Sequence, residues 1–108
     1  MQKIESYFKK YGIDFNLIQR INDIVLYKQT LNDKIIGYEI HRVRIAKANT
    51  FSFPNSDKLT TYPEREVLAN KSEFGIHAWS FNVEKSALDY FQELLKNDNA
   101  QITAKTKI

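Results

Sequence analysis

Two histidines, His41 and His77, have the widest chemical range of any residues in this 108-residue chain. A metal-independent ribonuclease needs such a pair. One imidazole takes the 2′-hydroxyl proton, the other protonates the leaving oxygen, and a cation such as Arg42 or Arg44 sits on the phosphate. Glu73, four residues before His77, offers a second pattern, an acid–base couple. Glu39 and His41 are two apart in a strand-like stretch and so share a face, which with His77 makes a third pattern, a histidine–carboxylate metal set. None of the three is specific, because any small basic protein with two histidines contains them. The H-E-x-x-H spacing is absent, there is no cysteine to act as nucleophile or thiolate ligand, and Gly12, Gly37 and Gly75 are too scattered to cradle a phosphate. The segment "TYPEREVLANKSEFGIHAWSF" at 61–81 therefore reads first as structure: Pro63 and Gly75 in turns, and Phe74, Trp79 and Phe81 in the core. No catalytic residue, metal ligand or cofactor is assigned, and an enzyme is not expected.

The cations carry more weight. Arg42 and Arg44 alternate on one strand face, and Arg20, Lys28 and Lys47 lie on or beside the neighbouring strands, with Tyr27 and Tyr38 close by. Such a face could track an RNA or DNA backbone or dock on an acidic protein surface. The alternative is a solvent-facing edge guarded by charge. The net charge of +3 divides unevenly, +4 over residues 1–47, −2 over 48–96 and +1 over 97–108. A basic first half suits a phosphate-bearing or acidic partner. The aromatic-glycine signature of the common RNA-binding sheet domain and zinc-finger spacings are missing.

These residues must be positioned by one domain, since the chain is too short for two ordinary ones. Freedom from cysteine fits a reducing compartment. No apolar run approaches a membrane span, and "MQKIESYFKKYG" lacks the apolar centre of a signal peptide, so the expected location is the cytoplasm.

Ile4, Tyr7, Phe8 and Tyr11 have helical spacing, and Gly12 stands where a helix would stop, which predicts an N-terminal helix. "DFNLIQRI" and "DIVLYKQT" predict two antiparallel strands joined at Asn22-Asp23. "LNDKI" turns the chain into a long strand, "IIGYEIHRVRIAK", whose apolar phase slips near His41–Arg42 and predicts a bulge or sharp twist there. "ANTFSFPNSDKLTT" reads as a loop with a short strand at Thr50–Phe53. Thr61 and Glu64 have capping-box spacing, predicting a helical turn in "YPEREVL". "GIHAWSF" reads as a strand. Asn82 then caps a helix over Val83–Lys96 with an apolar stripe of Ala87, Leu88, Phe91, Leu94 and Leu95. The expected fold is α+β: a small antiparallel sheet of three to five strands with an N-terminal and a C-terminal helix on one face. It spans residues 1–96, and 97–108 form a flexible tail.

Gly37-Tyr38-Glu39 with Arg44-Ile45, Pro63 with Glu66, and Phe74-Gly75 with Trp79 make a recognisable series. It resembles small uncharacterised proteins of bacteriophages and other mobile elements, which carry Gly-Tyr-Glu-x-x-x-x-Arg-Ile, then Pro-x-x-Glu, then Phe-Gly-x-x-x-Trp. The likeness covers residues 24–95 and leaves His77 in a variable position. What it implies is a compact inhibitor of a bacterial defence complex, of the anti-CRISPR kind. Such a protein is non-enzymatic, acts in the host cytoplasm and binds a nuclease or its guide-RNA complex. The runners-up are a direct nucleic-acid binder using Arg20, Lys28, Arg42, Arg44 and Lys47, and then the ribonuclease. Oligomeric state is left open.

Overall fold

The structure is a computed structural model that describes residues 1–52 and 59–106. A five-stranded antiparallel sheet is built from β1 (Tyr7–Lys10), β2 (Ile13–Ile21), β3 (Ile24–Leu31), β4 (Lys34–Arg42) and, after a long excursion, β9 (Ala78–Phe81). The spatial order is β1-β2-β3-β4-β9. Between β4 and β9 the chain forms β5 (Arg44–Ala46) paired with β8 (Arg65–Val67), and β6 (Asn49–Ser52) paired with β7 (Leu59–Tyr62). One helix, α1 (Glu84–Thr106), closes the fold. The class is α+β, with a single C-terminal helix on one face of the sheet.

The expected N-terminal helix is instead β1, hydrogen-bonded along its length to β2. The i, i+3, i+4 spacing of Ile4, Tyr7, Phe8 and Tyr11 was coincidental. "YFKK" is rich in strand-favouring aromatics, and pairing with β2 stacks the Phe8 ring on Phe15 at 4.6 Å between centroids. Gly12 ends no helix. It is the second turn residue of a tight hairpin, and Tyr11 (φ 54°) and Gly12 (φ 75°) both adopt left-handed backbone. The helical turn expected in "YPEREVL" is also absent: Arg65–Val67 is strand β8, and Thr61 lies in β7. The capping box occurs downstream, where Asn70 and Glu73 bracket one turn of 3-10 helix at Lys71–Glu73. "GIHAWSF" is a strand only from Ala78 onward, and His77 lies in the preceding turn.

The other hairpins form where expected. Their left-handed positions are taken by Asn22 and by Asn32-Asp33, whose short polar side chains tolerate that conformation. The phase slip near His41–Arg42 is where β4 ends and the chain leaves the main sheet for β5. Helix α1 begins one residue late, with the Val83 carbonyl accepting from Ala87 N at 3.2 Å, and runs past Lys96 to Thr106.

Strand alternation gives the sheet two apolar faces. Ile24, Leu26, Tyr38 and Ile40 face α1 and bury against Ala87, Phe91 and Leu94, with Trp79, Phe81, Leu88 and Leu95 around them. This is the stripe read from the sequence. On the opposite face Phe15, Val25, Tyr27 and Val43 are covered by Ile4, Phe8, Leu17 and Leu68. Burial on both sides explains why β3 carries an unbroken apolar run, Ile24 to Tyr27. No helix among the described residues is long and apolar enough to cross a membrane.

Candidate functional site

The second face holds a half-open cavity of about 210 Å³. Its apolar walls come from Phe8, Ile13, Phe15, Leu68 and Phe74, and its polar groups are Gln29, Glu39 and His41. Register explains the grouping. Phe8 lies across from Phe15 and Phe15 from Gln29, while Glu39 lies across from Tyr27 and His41 from Val25. All of these side chains therefore emerge on one face. Lys10 and Lys71 stand at the mouth on either hand of Tyr11, with their ammonium nitrogens 5.6 and 5.5 Å from its ring centre.

Glu39 organises the polar end. His41 Nε2 lies 2.8 Å from Oε1, and Gln29 Nε2 donates to Oε2 at 3.0 Å. Glu39 Oε1 and His41 Nε2 share one hydrogen bond, whose donor depends on the imidazole tautomer, and His41 Nδ1 takes no part in it. Nδ1 is buried without a partner, and the ring meets Tyr27 and Phe74 edge-on. Gly37 makes room for this relay, because a Cβ there would stand 3.0 Å from Gln29 Oε1 and 3.0 Å from the Phe81 carbonyl. No lysine or arginine among the described residues pairs with Glu39; its one ion-pair partner is His41.

The two imidazoles are not in direct contact among the described residues. His41 lies across from Ala78, not His77, and no hydrogen bond or ring contact joins the two imidazoles among the described residues. Glu73 and His77 meet through backbone only, His77 N donating to the Glu73 carbonyl at 2.8 Å. Glu73 Oε1 accepts from Arg44 and from the Asn70 backbone N–H, and Oε2 is buried with no hydrogen-bond partner among the described residues. No group of three or more His, Asp or Glu among the described residues is placed to hold a metal ion.

The five cations singled out by sequence are dispersed. Arg20 is on the cavity face and makes a bidentate pair with Glu66 at 2.8 and 2.7 Å. Lys28 and Arg42 are on the helix face, across from Tyr38 and Ile24. Arg42 reaches down to Asp98 on α1 in a second bidentate pair, at 3.1 and 2.9 Å. Arg44 has left the main sheet and pairs with Glu73, and Lys47 lies just beyond β5. Glu66 is the busiest of these carboxylates. Its side chain is 6% exposed, it also accepts from Ile4 N at 3.2 Å, and Lys3 stands 3.8 Å away. The Arg20 hydrogen bonds, helped by the Ile4 amide, hold its carboxyl at about 2. These pairs fasten the N-terminal segment and β8 over the sheet.

The two pairings β5–β8 and β6–β7 are successive parts of one two-stranded ribbon. Its base is tied to the body through Glu66 and Arg44. The outer part, β6–β7, is a two-stranded sheet separate from the five-stranded one. The radius of gyration is 17.2 Å, against about 13 Å for a compact domain of this length, as a projecting ribbon and a long helix require. Sequence reading missed β7, because "LTT" is short and polar and its strand character depends on pairing with β6. It also missed Gln29, Lys10 and Lys71, which only register and the return of residues 68–74 bring to the cavity. Comparison of the chain with protein-family models, with curated proteins and with solved structures found no match.

Proposed function

We propose that this chain is a non-enzymatic binding protein that engages a protein or ribonucleoprotein partner through the ribbon of residues 44–67. The observation that carries the reading is that β6 and β7 pair as a two-stranded sheet of their own, separate from the five-stranded one. A two-stranded ribbon is marginally stable alone in water, and among the described residues each of its strands keeps an edge with no strand beside it. A partner strand or groove supplies what the fold does not, as in other cases of recognition by strand addition. The resemblance of "GYEIHRVRI", "PERE" and "FGIHAW" to mobile-element proteins supplies the partner class, a bacterial defence nuclease or its guide-RNA complex, met in the bacterial cytoplasm.

Direct binding of nucleic acid has less support. Arg20, Arg42 and Arg44 are each held by a carboxylate, so a phosphate would have to displace Glu66, Asp98 or Glu73. Ribonuclease chemistry has less again, with His41 buried and joined to Glu39.

The test replaces residues 49–62 by Asn-Gly, which keeps β5 and β8 paired. Phage plating is scored in bacteria carrying a panel of defence systems. The full chain is expected to relieve restriction by at least one system and the shortened chain to fail, with its thermal transition preserved. Unchanged restriction across the panel removes the inhibitor reading, and equal activity of the shortened chain removes the ribbon. RNA or DNA binding that weakens steeply with salt would replace both.

A further inference from the structure

We propose that the cavity on the second sheet face is a specific site for a basic amino acid, lysine or arginine, bound with its cationic end on Glu39. The inference is independent of the ribbon. It starts from a separation of charge along the lining, with Glu39 at the more buried part and the exposed Lys10 and Lys71 at the outer part. Glu39 is a carboxylate at the end of an apolar cavity, and its side chain is 16% exposed. Each of its oxygens holds one hydrogen bond within the chain and has a lone pair left, and among the described residues neither pairs with an arginine or lysine. A charge so placed is stabilised by a cation that reaches it through the cavity. An ammonium or guanidinium group does so, and the rings of Phe8, Phe15 and Phe74 favour a cation over a neutral group.

The body and far end of the ligand follow from the walls and mouth. The cavity has room for several waters or a short aliphatic chain, and its walls are aromatic and aliphatic. Lys10 and Lys71, exposed beside Tyr11, favour an anionic group at the opening. A cation and a carboxylate separated by a flexible apolar chain describe lysine or arginine, either free or as the last residue of a peptide. Tyr11 supports a ligand role at the mouth. It is 79% exposed, packs into neither core and keeps a left-handed backbone that the other hairpins give to Asn and Asp. Strain of this kind persists where the residue serves a purpose besides folding.

The experiment is an NMR titration of the isotope-labelled full chain to millimolar ligand. The probes are L-lysine, L-arginine, norleucine (no side-chain cation), cadaverine (no carboxylate) and a short peptide ending in lysine. Lysine or arginine is expected to shift the resonances of Phe8, Glu39 and His41, norleucine to leave them still, and cadaverine to bind about tenfold more weakly, as two exposed charge contacts warrant. Binding by the peptide but not the free amino acid assigns the source to a chain terminus. Glu39→Gln should abolish binding. Because that change could loosen the relay, the exposed pair Lys10→Gln/Lys71→Gln provides the second test: it should weaken lysine about tenfold and strengthen cadaverine, whose second ammonium no longer meets those two cations. Equal binding of norleucine and lysine, or no binding by lysine, arginine or the peptide, overturns the proposal.

Discussion

Removing Arg20 distinguishes a structural cation from a binding one. In Arg20→Ala the Glu66 carboxylate, 6% exposed, loses a bidentate partner and keeps one backbone donor, Ile4 N. Lys3 cannot replace the arginine, because it is 3.8 Å away and its side chain is 71% exposed. Breaking a buried pair from one side costs about 3–5 kcal/mol, and the partial exposure of Arg20 (30%) argues for the lower end, about 3 kcal/mol. In a domain of this size that is a fall of about 12–20 °C in Tm, or roughly 1.5–2 M in the urea midpoint at an m-value of about 1.5–2 kcal/mol/M. The assay is urea unfolding followed by Trp79 fluorescence, run across pH. The sign of the pH effect is fixed. Glu66 falls from an ordinary 4.5 to about 2 in the folded chain, so between those values the unfolded state binds more protons. Wild-type stability is complete above pH 4.5 and is lost as pH falls toward 2. Arg20→Ala should lack most of that acid limb. A loss below about 1 kcal/mol, or an unchanged acid limb, would refute the structural role of the pair and return Arg20 to the set of cations free for a phosphate.

Tyr11→Asn should stabilise the chain by about 1 kcal/mol in the same assay, since an L-aromatic residue at φ 54° costs roughly 1–2 kcal/mol that Asn largely avoids. A destabilised variant would show that the Lys10 and Lys71 contacts on the ring outweigh the strain. Phe91→Ala removes a ring with no exposure from the helix-side core and should cost about 3–5 kcal/mol by thermal melting; a small effect would mean that α1 is not the lid of that face. Gly37→Ala places a methyl 3.0 Å from Gln29 Oε1 and from a backbone carbonyl, with an expected loss of about 1–3 kcal/mol. The same variant should move the His41 imidazole signals by NMR, and unmoved signals would sever Gln29 from the relay. Tyr27→Phe tests the alkaline side. Burial pushes the Tyr27 hydroxyl up to about 12, so wild-type stability should decline as pH rises above 10 and the variant should lack that decline.

Much of this protein was determined by local sequence. The hairpins at Asn22-Asp23 and Asn32-Asp33 follow from turn residues, the strands between them from alternating branched and aromatic residues, and α1 from its stripe of Ala87, Phe91 and Leu94. The slip of phase at His41–Arg42 marked where the long strand leaves the sheet, because a two-residue period cannot change face without a break. Elsewhere local signals pointed the wrong way. Helical spacing in "IESYFKKYG" fell on strand β1 and the capping-box spacing at Thr61 and Glu64 began in strand β7, where cross-strand pairing outweighs a weak helical preference. The site lay furthest from view. That Arg42 meets Asp98 across 56 residues, that Arg20 meets Glu66 across 46, and that Gln29, Glu39 and His41 share a cavity with Lys71 depend on strand register and on how the ribbon returns. The sequence supplied the charges, and tertiary structure decided which were met at close range by an arginine or lysine and which, like Glu39 among the described residues, meet only a histidine.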